Sequence, residues 1–386
     1  MRFKEKVTDL IDLLDNWLSD PEDEVQLQQW KDAGEMIAYS FEFSRVEQPY
    51  IDLVLELYAT QLKKKMERMQ CTRSAVSKER LDELLERKQT EQRTPEWYEQ
   101  MSNVISASEL GKLFGSERER AKFVLSKTMP YQPRLMPLSV PSDNMTAFDW
   151  GIRFEPVVKQ IYEAKHGVVI KDLGRLPHPQ NPRCTASPDG LIYSDPTRER
   201  LGHLIEIKCP VTREIDGTIP KDYYSQIQMQ LHVTGMNACE YVEAVFSSKY
   251  NNMSAKEGPC LYSGFVAIVR YAERKGDQDF YYVYSPLHVD ASWIPSLMEE
   301  DEIIEITPWR LYQWSEQLVV RNEEWWVSIQ PTFKAFWEDV EQAKQGMFLM
   351  PEEARASKKQ KTQKCMIQFH KMDEDGNLMK DHDTDT

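Results

Sequence analysis

Apolar residues return every three or four positions through the first ninety residues: Val7, Leu10, Ile11, Leu14 and Leu18 form one stripe, Tyr50 to Leu57 a second, and Leu81, Leu84 and Leu85 a third. That spacing predicts amphipathic helices. Ser19-Asp20-Pro21 ends the first of them, because proline pushes the residue before it out of helical geometry. Lys63-Lys64-Lys65 and Arg68 lie on a predicted helix, as a solvated basic face or as a contact for DNA or a partner. At Thr94-Pro95-Glu96-Trp97-Tyr98 the texture changes, and a threonine followed by proline marks a helix start. Ser106-Ala107-Ser108-Glu109-Leu110 predicts another helix, where Gly111 and Gly115 permit close approach or a bend. Pro130 to Pro141 predicts a loop. The next helix has Trp150, Phe154, Val157, Val158 and Ile161 as its apolar face, with Glu155 at the edge of that face.

From Val168 the period shortens. Val168 to Ile170, Arg183 to Ile192 and Leu204 to Lys208 predict strands, with turns at Gly190 and at Ser194-Asp195-Pro196. A helix is expected from about Asp222 to Val233, then strands at Glu240 to Phe246, Phe265 to Tyr271 and Phe280 to Tyr284. Helix, strands, helix, strands is the order of a mixed α/β sheet. After Pro295 the chain again reads as helical. Its aromatics Trp309, Tyr312, Trp314, Trp325, Trp326, Phe333, Phe336 and Trp337 fit helices packing on the core, with base stacking as the alternative. Periodicity is lost after Pro351, which predicts a disordered tail containing a short basic cluster, Lys358-Lys359-Gln360-Lys361, in the style of a nuclear address. The expected organisation is a helical region over 1–93, a central domain over 94–297, C-terminal helices over 298–350 and a tail over 351–386.

Composition narrows the class. A chain of 386 residues with 41% hydrophobic content can bury a large core. No apolar run approaches the roughly 18 residues that would span a bilayer, and Met1 to Leu18 alternates charge with apolar residues, so neither a membrane location nor secretion is expected. Six cysteines are scattered without CxxC or zinc-finger spacing and read as reduced thiols of a cytosolic or nuclear protein. His166, His178, His203 and His232 show no zinc pattern either. The net charge of −15 looks wrong for a nucleic-acid enzyme, but its distribution matters. Residues 94–297 carry 22 basic and 24 acidic groups, while the flanks hold most of the acid excess. Local positive potential around Arg153, Lys159, Arg175, Arg183, Arg213 and Lys221 is compatible with that balance.

Three fragments carry chemistry together: Glu155 in Gly151-Ile152-Arg153-Phe154-Glu155, Ser187-Pro188-Asp189-Gly190, and Glu206-Ile207-Lys208. Asp189 stands 17 residues before Glu206, enough for a strand, a turn and a second strand to bring the two carboxylates together. Glu206 and Lys208 are two apart and share a sheet face. Hard oxygens suit Mg²⁺, which keeps several waters, and an adjacent ammonium can orient or help deprotonate a water. Each motif alone is an ordinary turn or strand; their order and separation make a site.

These residues resemble the phage lambda exonuclease family, or YqaJ-type viral recombinase nucleases, of the PD-(D/E)xK superfamily. The resemblance covers about 94–285 through Trp97, Ile105 to Glu109, Gly151 to Glu155, Ala186 to Gly190, Leu204 to Pro210, and Tyr223 with Gln226 and Gln228. It implies a restriction-endonuclease-like α/β fold, a mixed sheet flanked by helices, here with a helical N-terminal addition. It implies a Mg²⁺-dependent DNA exonuclease, 5′→3′ on duplex ends, with Mn²⁺ as a substitute metal. Asp189, Glu206 and the Ile207 carbonyl would ligate metal, Lys208 would position or deprotonate the nucleophile, and Glu155 would orient water or help hold a second ion. Tyr223 and Gln226 would contact the scissile phosphate or a metal water, and Ser108 a phosphate; the plainer readings are a polar helix face and a helix cap. Where phage relatives carry an arginine four residues after the tryptophan, this chain has Met101, and Lys112 is the candidate substitute cation. The cysteine spacing does not suit an iron–sulfur cluster, and no nucleotide cofactor is expected. A single-strand annealing protein is the implied partner and a ring trimer the implied assembly, with the cytoplasm or nucleus of a host cell as the setting and a large DNA virus or phage as the origin. An endonuclease or RNase on the same scaffold, or a poorly cleaving DNA-binding module, are the competing readings.

Overall fold

The chain is described by a computed structural model over residues 3–351, apart from 19, 22, 74–75, 93, 130–144, 250–258, 276–277 and 298–299. The expected Pro130–Pro141 loop, the tail beyond 351 and its basic cluster lie outside the described residues. Three helices open the chain: α1 (Phe3–Trp17), α2 (Glu24–Tyr39) and α3 (Gln48–Arg73). Leu10 and Leu14 of α1 meet Leu27 and Trp30 of α2 and Ile51, Leu55 and Leu62 of α3 in a core of their own. Asp23 caps α2 by accepting the Gln26 amide at 2.8 Å. The far end of α3 is pinned to the sheet described below, since Arg68 donates two hydrogen bonds, 2.9 and 3.1 Å, to the fully buried Glu240.

Next come α4 (Lys78–Glu86), α5 (Pro95–Glu99) with Thr94 as its cap, a short 3-10 turn, strand β1 (Ile105–Ser106), a 3-10 helix (Ala107–Leu113) and α6 (Glu117–Ser126). Gly111 allows that 3-10 helix to press on the start of a later helix, because a Cβ there would sit 2.9 Å from Asp222. Helix α7 (Ala147–His166) is followed by β2 (Val169–Lys171), β3 (Leu176–Pro177), β4 (Cys184–Ala186), β5 (Gly190–Ser194), β6 (Leu204–Lys208), α8 (Lys221–Thr234), β7 (Ala238–Ser248), β8 (Tyr262–Lys275), β9 (Gln278–Tyr284), β10 (Glu302–Val320) and α9 (Glu323–Lys344).

Seven strands form the main sheet in the order β2-β5-β6-β7-β10-β8-β9, in which β6 and β7 run parallel and the other neighbours antiparallel. A small sheet, β1-β4-β3, lies beside it. Helix α7 covers one face of the main sheet, burying Trp150, Phe154, Val157 and Ile161 against Ile205, Ile207, Val242 and Phe246. The opposite face holds Leu204 and Tyr241 against Ile227 and Leu231 of α8, with Phe333 and Phe336 of α9 in the same core. The result is a mixed α/β sheet flanked by helices.

One expected element is overturned. The segment after Pro295 was expected to be helical, yet Glu302–Val320 is a strand of 19 residues, and only α9 beyond it is helix. Ile303, Ile304, Ile306, Thr307, Trp309, Tyr312 and Trp314 suit a pleated surface, and Pro308 would break a helix interior. Trp309 is buried, its ring centroid 5.7 Å from that of Phe246. The described residues up to Leu349 hold together as one compact unit.

Candidate active site

Alternation along β6 sets the chemistry. Ile205 and Ile207 pack toward α7, so Leu204, Glu206 and Lys208 face α8. Glu206 is 1% exposed, and both of its oxygens are engaged. Oε1 accepts from Gln226 Nε2 at 2.7 Å and from Lys208 Nζ, while Oε2 accepts from Gln230 Nε2 at 2.7 Å. Lys208 Nζ also reaches Gln226 Oε1 at 3.4 Å and lies 4.9 Å from the centre of the Tyr223 ring. Asp189, just ahead of β5, accepts the Ile207 amide at 2.7 Å through Oδ2, which brings the first carboxylate to the end of β6. Gly190 is required here by close approach: a side chain would run into Ile170 on the neighbouring β2.

Glu155 comes from α7 and is half-buried. Its Oε1 accepts from Lys159 at 2.9 Å, and Lys159 also binds Asp172 at 2.8 Å. Pro156 follows it inside the helix, so the Ile152 carbonyl lacks its usual i+4 amide donor. Ile152 and Glu155 both line a cleft of about 610 Å³ with Asp189, Glu206, Ile207 and Lys208. Trp97, Met101, Ser108, Tyr223 and Gln226 complete much of its wall.

Burial pushes the Asp189 carboxyl well above its ordinary range, and the nearby charges of Glu206 and Glu155 push it further. Burial opposes the charge on Lys208, but Glu206 and Asp189 outweigh it and raise the ammonium above its ordinary value. Burial, then Glu155 and Asp189, also raise the thiol of the cleft-lining Cys209. Among the described residues no three His, Cys, Asp or Glu side chains converge closely enough to hold an ion unaided. The donor set nevertheless fits a hard divalent cation. The Asp189, Glu206 and Glu155 carboxylates share a cleft with the backbone of Ile207, and Mg²⁺ takes such hard oxygens and fills its remaining positions with water.

Asp189, Glu206, Ile207, Lys208, Glu155, Gln226, Tyr223 and Ser108 are thus brought to one cleft. The Ser108 hydroxyl lies 3.2 Å from that of Ser106, and it is Ser106 that caps the 3-10 helix in a reciprocal box with Glu109. Two other predicted DNA contacts lie elsewhere. Arg153 is fully buried against Tyr282, its guanidinium carbon 5.1 Å from the ring centre, because it falls between Trp150 and Val157 on the inward face of α7. Lys112 sits over the Phe123 ring at 5.4 Å and 3.8 Å from Glu109, outside the cleft lining. Sequence reasoning missed Gln230. It follows Gln226 by four residues, the spacing that places two side chains on one helix face. Gln228 instead joins the C-terminal part of the chain, donating to the Val320 carbonyl and accepting the Asn322 amide.

Residues 96–237, which carry most of this cleft, match the family model for a YqaJ-like viral recombinase domain. The chain carries a YqaJ-like viral recombinase domain. A curated relative, uncharacterized protein R354 of Acanthamoeba polyphaga mimivirus, is 25% identical over 311 residues, which cover 68% of this chain and 54% of R354. The recombinase-domain chain therefore spans about half the length of that relative. Among solved structures it is similar to an alkaline exonuclease from Laribacter hongkongensis (18% identity, TM-score 0.40, covering 66% of this chain and 96% of that one). A phage related exonuclease from Haemophilus somnus 129PT is similar at 15% identity and a TM-score of 0.35, covering 63% of this chain and 96% of that one. No helix among the described residues is long and apolar enough to cross a membrane.

Proposed function

We propose that this chain is a divalent-metal-dependent deoxyribonuclease, an exonuclease acting 5′→3′ on duplex ends in recombination or viral genome processing. The observation that carries the reading is the meeting of Asp189, just ahead of β5, with Glu206 and Lys208 of β6 in one cleft, inside the stretch that matches the recombinase domain. Asp189, Glu206 and the Ile207 carbonyl would hold Mg²⁺ or Mn²⁺, with Glu155 at the edge of the set. When bound, the ion would supply Lewis acidity to the scissile phosphate and acidify a coordinated water.

The protein's own groups do the rest. Lys208, kept cationic by Glu206 and Asp189, donates to the attacking water or to the phosphate oxygen on which charge grows. Gln226 and Gln230 fix the Glu206 carboxylate, so that its oxygens do not rotate away from the cleft. Tyr223 and Ser108 line the same wall and offer hydroxyls to substrate phosphate. Glu155 would hold and orient water.

Offering circular duplex, linear duplex labelled at either end, and RNA to the full chain with Mg²⁺ tests the reading. Release of 5′-labelled mononucleotides from linear duplex alone is expected. Nicking of circles would mark an endonuclease, and equal digestion of RNA would remove the DNA assignment.

A further inference from the structure

Glu243 is a fully buried carboxylate that the chemistry above does not use. It stands on β7 directly in register with Lys208 on the parallel β6. Oε1 accepts from the Tyr241 hydroxyl at 2.7 Å and from Arg213 Nη2, while Oε2 is buried without a hydrogen-bond partner among the described residues. Arg213 comes from the segment between β6 and α8, two residues after the cleft-lining Val211. Its side chain is 35% exposed, and its guanidinium carbon lies 6.0 Å from the centre of the Tyr223 ring. Lys208 approaches that same ring at 4.9 Å. Lys208 and Tyr223 line the cleft, and Arg213 flanks the same ring from outside that lining.

We propose that Arg213 is a substrate-phosphate contact at the rim of the cleft, held in place by the buried Glu243 and Tyr241. This rests on the nuclease reading and adds a residue to it. A guanidinium carries five donors, and the Glu243 bond and a 3.4 Å contact to the Glu214 carbonyl leave part of its fork open to solvent beside the substrate wall. Anchoring one edge removes much of the rotamer freedom that a free surface arginine would lose on binding a phosphate. The phosphate met there belongs to a nucleotide displaced from the scissile bond, because Arg213 stands outside the lining that Asp189, Glu206 and Lys208 share.

Duplex binding by the full chain in EDTA, read by fluorescence anisotropy across a salt series, tests this without any cleavage. Arg213→Ala should bind about 10-fold more weakly at low salt and lower the slope of log K against log salt by about one unit. Arg213→Lys, which keeps the charge, should retain the slope. Arg213→Ala leaves a buried carboxylate unpaired, so Arg213→Gln with Glu243→Gln serves as the variant free of that burden, and it too should lose the unit of slope. Unchanged affinity and slope in the double variant would overturn the proposal and leave Arg213 as a latch for its segment. Wild-type protein that binds no duplex in EDTA and cleaves none with Mg²⁺ would overturn the nuclease reading together with it.

Discussion

At the scale of single residues, Glu206 explains how much of the site was legible in advance. Its placement with Lys208 follows from the two-residue period of a strand, and its meeting with Asp189 from a turn between neighbouring strands. Its supporting bonds were less visible, because glutamine on a helix next to a tyrosine reads as polar surface until the helix is seen to pack on β6. Gln230 is the clearest case: it is fully buried, and its amide donates to Glu206 Oε2. Gln230→Ala should lower kcat by about 10–100-fold with DNA affinity nearly unchanged, checked by single-turnover cleavage beside equilibrium binding. Arg153 shows the opposite failure. Its charge suggested phosphate, but its helical phase, three after Trp150 and four before Val157, already placed it inside.

Among the elements, β10 was the one misread. Dense tryptophan and tyrosine in the C-terminal region suggested helices that bury rings, and the β-branched run with Pro308 was the signal against it. By contrast α7, β6 and α8 declared themselves through clean periodicity. The joint between α3 and β7 could not be read from sequence, since Arg68 and Glu240 are 172 residues apart. Burial pushes the Glu240 carboxyl up, but the hydrogen bond from His203 and the Arg68 charge outweigh it and hold it down at about 2. A carboxylate depressed by folding stabilises the protein above its unfolded value. That contribution should therefore be complete above about pH 5 and disappear as pH falls toward 2. Glu240→Gln should cost about 3–5 kcal/mol at pH 7 by leaving Arg68 buried without its charge partner, and should flatten the acid limb of the stability curve. Urea unfolding between pH 2.5 and 7 measures both.

Across the whole molecule, acidic flanks surround a nearly balanced central region, so a DNA substrate would have to be held by a few well-placed cations rather than by a general field. On the proposed reading Lys208 in the cleft and Arg213 beside it would meet that requirement, and the cleft carboxylates would hold the metal. The claim that matters most is that Asp189 and Glu206 act as one metal-supported hydrolytic centre. Cleavage of end-labelled linear duplex, with Mg²⁺ titrated into chelator-treated wild-type protein and into Asp189→Asn, tests it most directly. Wild-type activity should vanish in chelator and return with Mg²⁺, while Asp189→Asn should stay slower by about 10²–10³-fold at saturating metal. Cleavage that persists in chelator, or that survives Asp189→Asn at the wild-type rate, would contradict it.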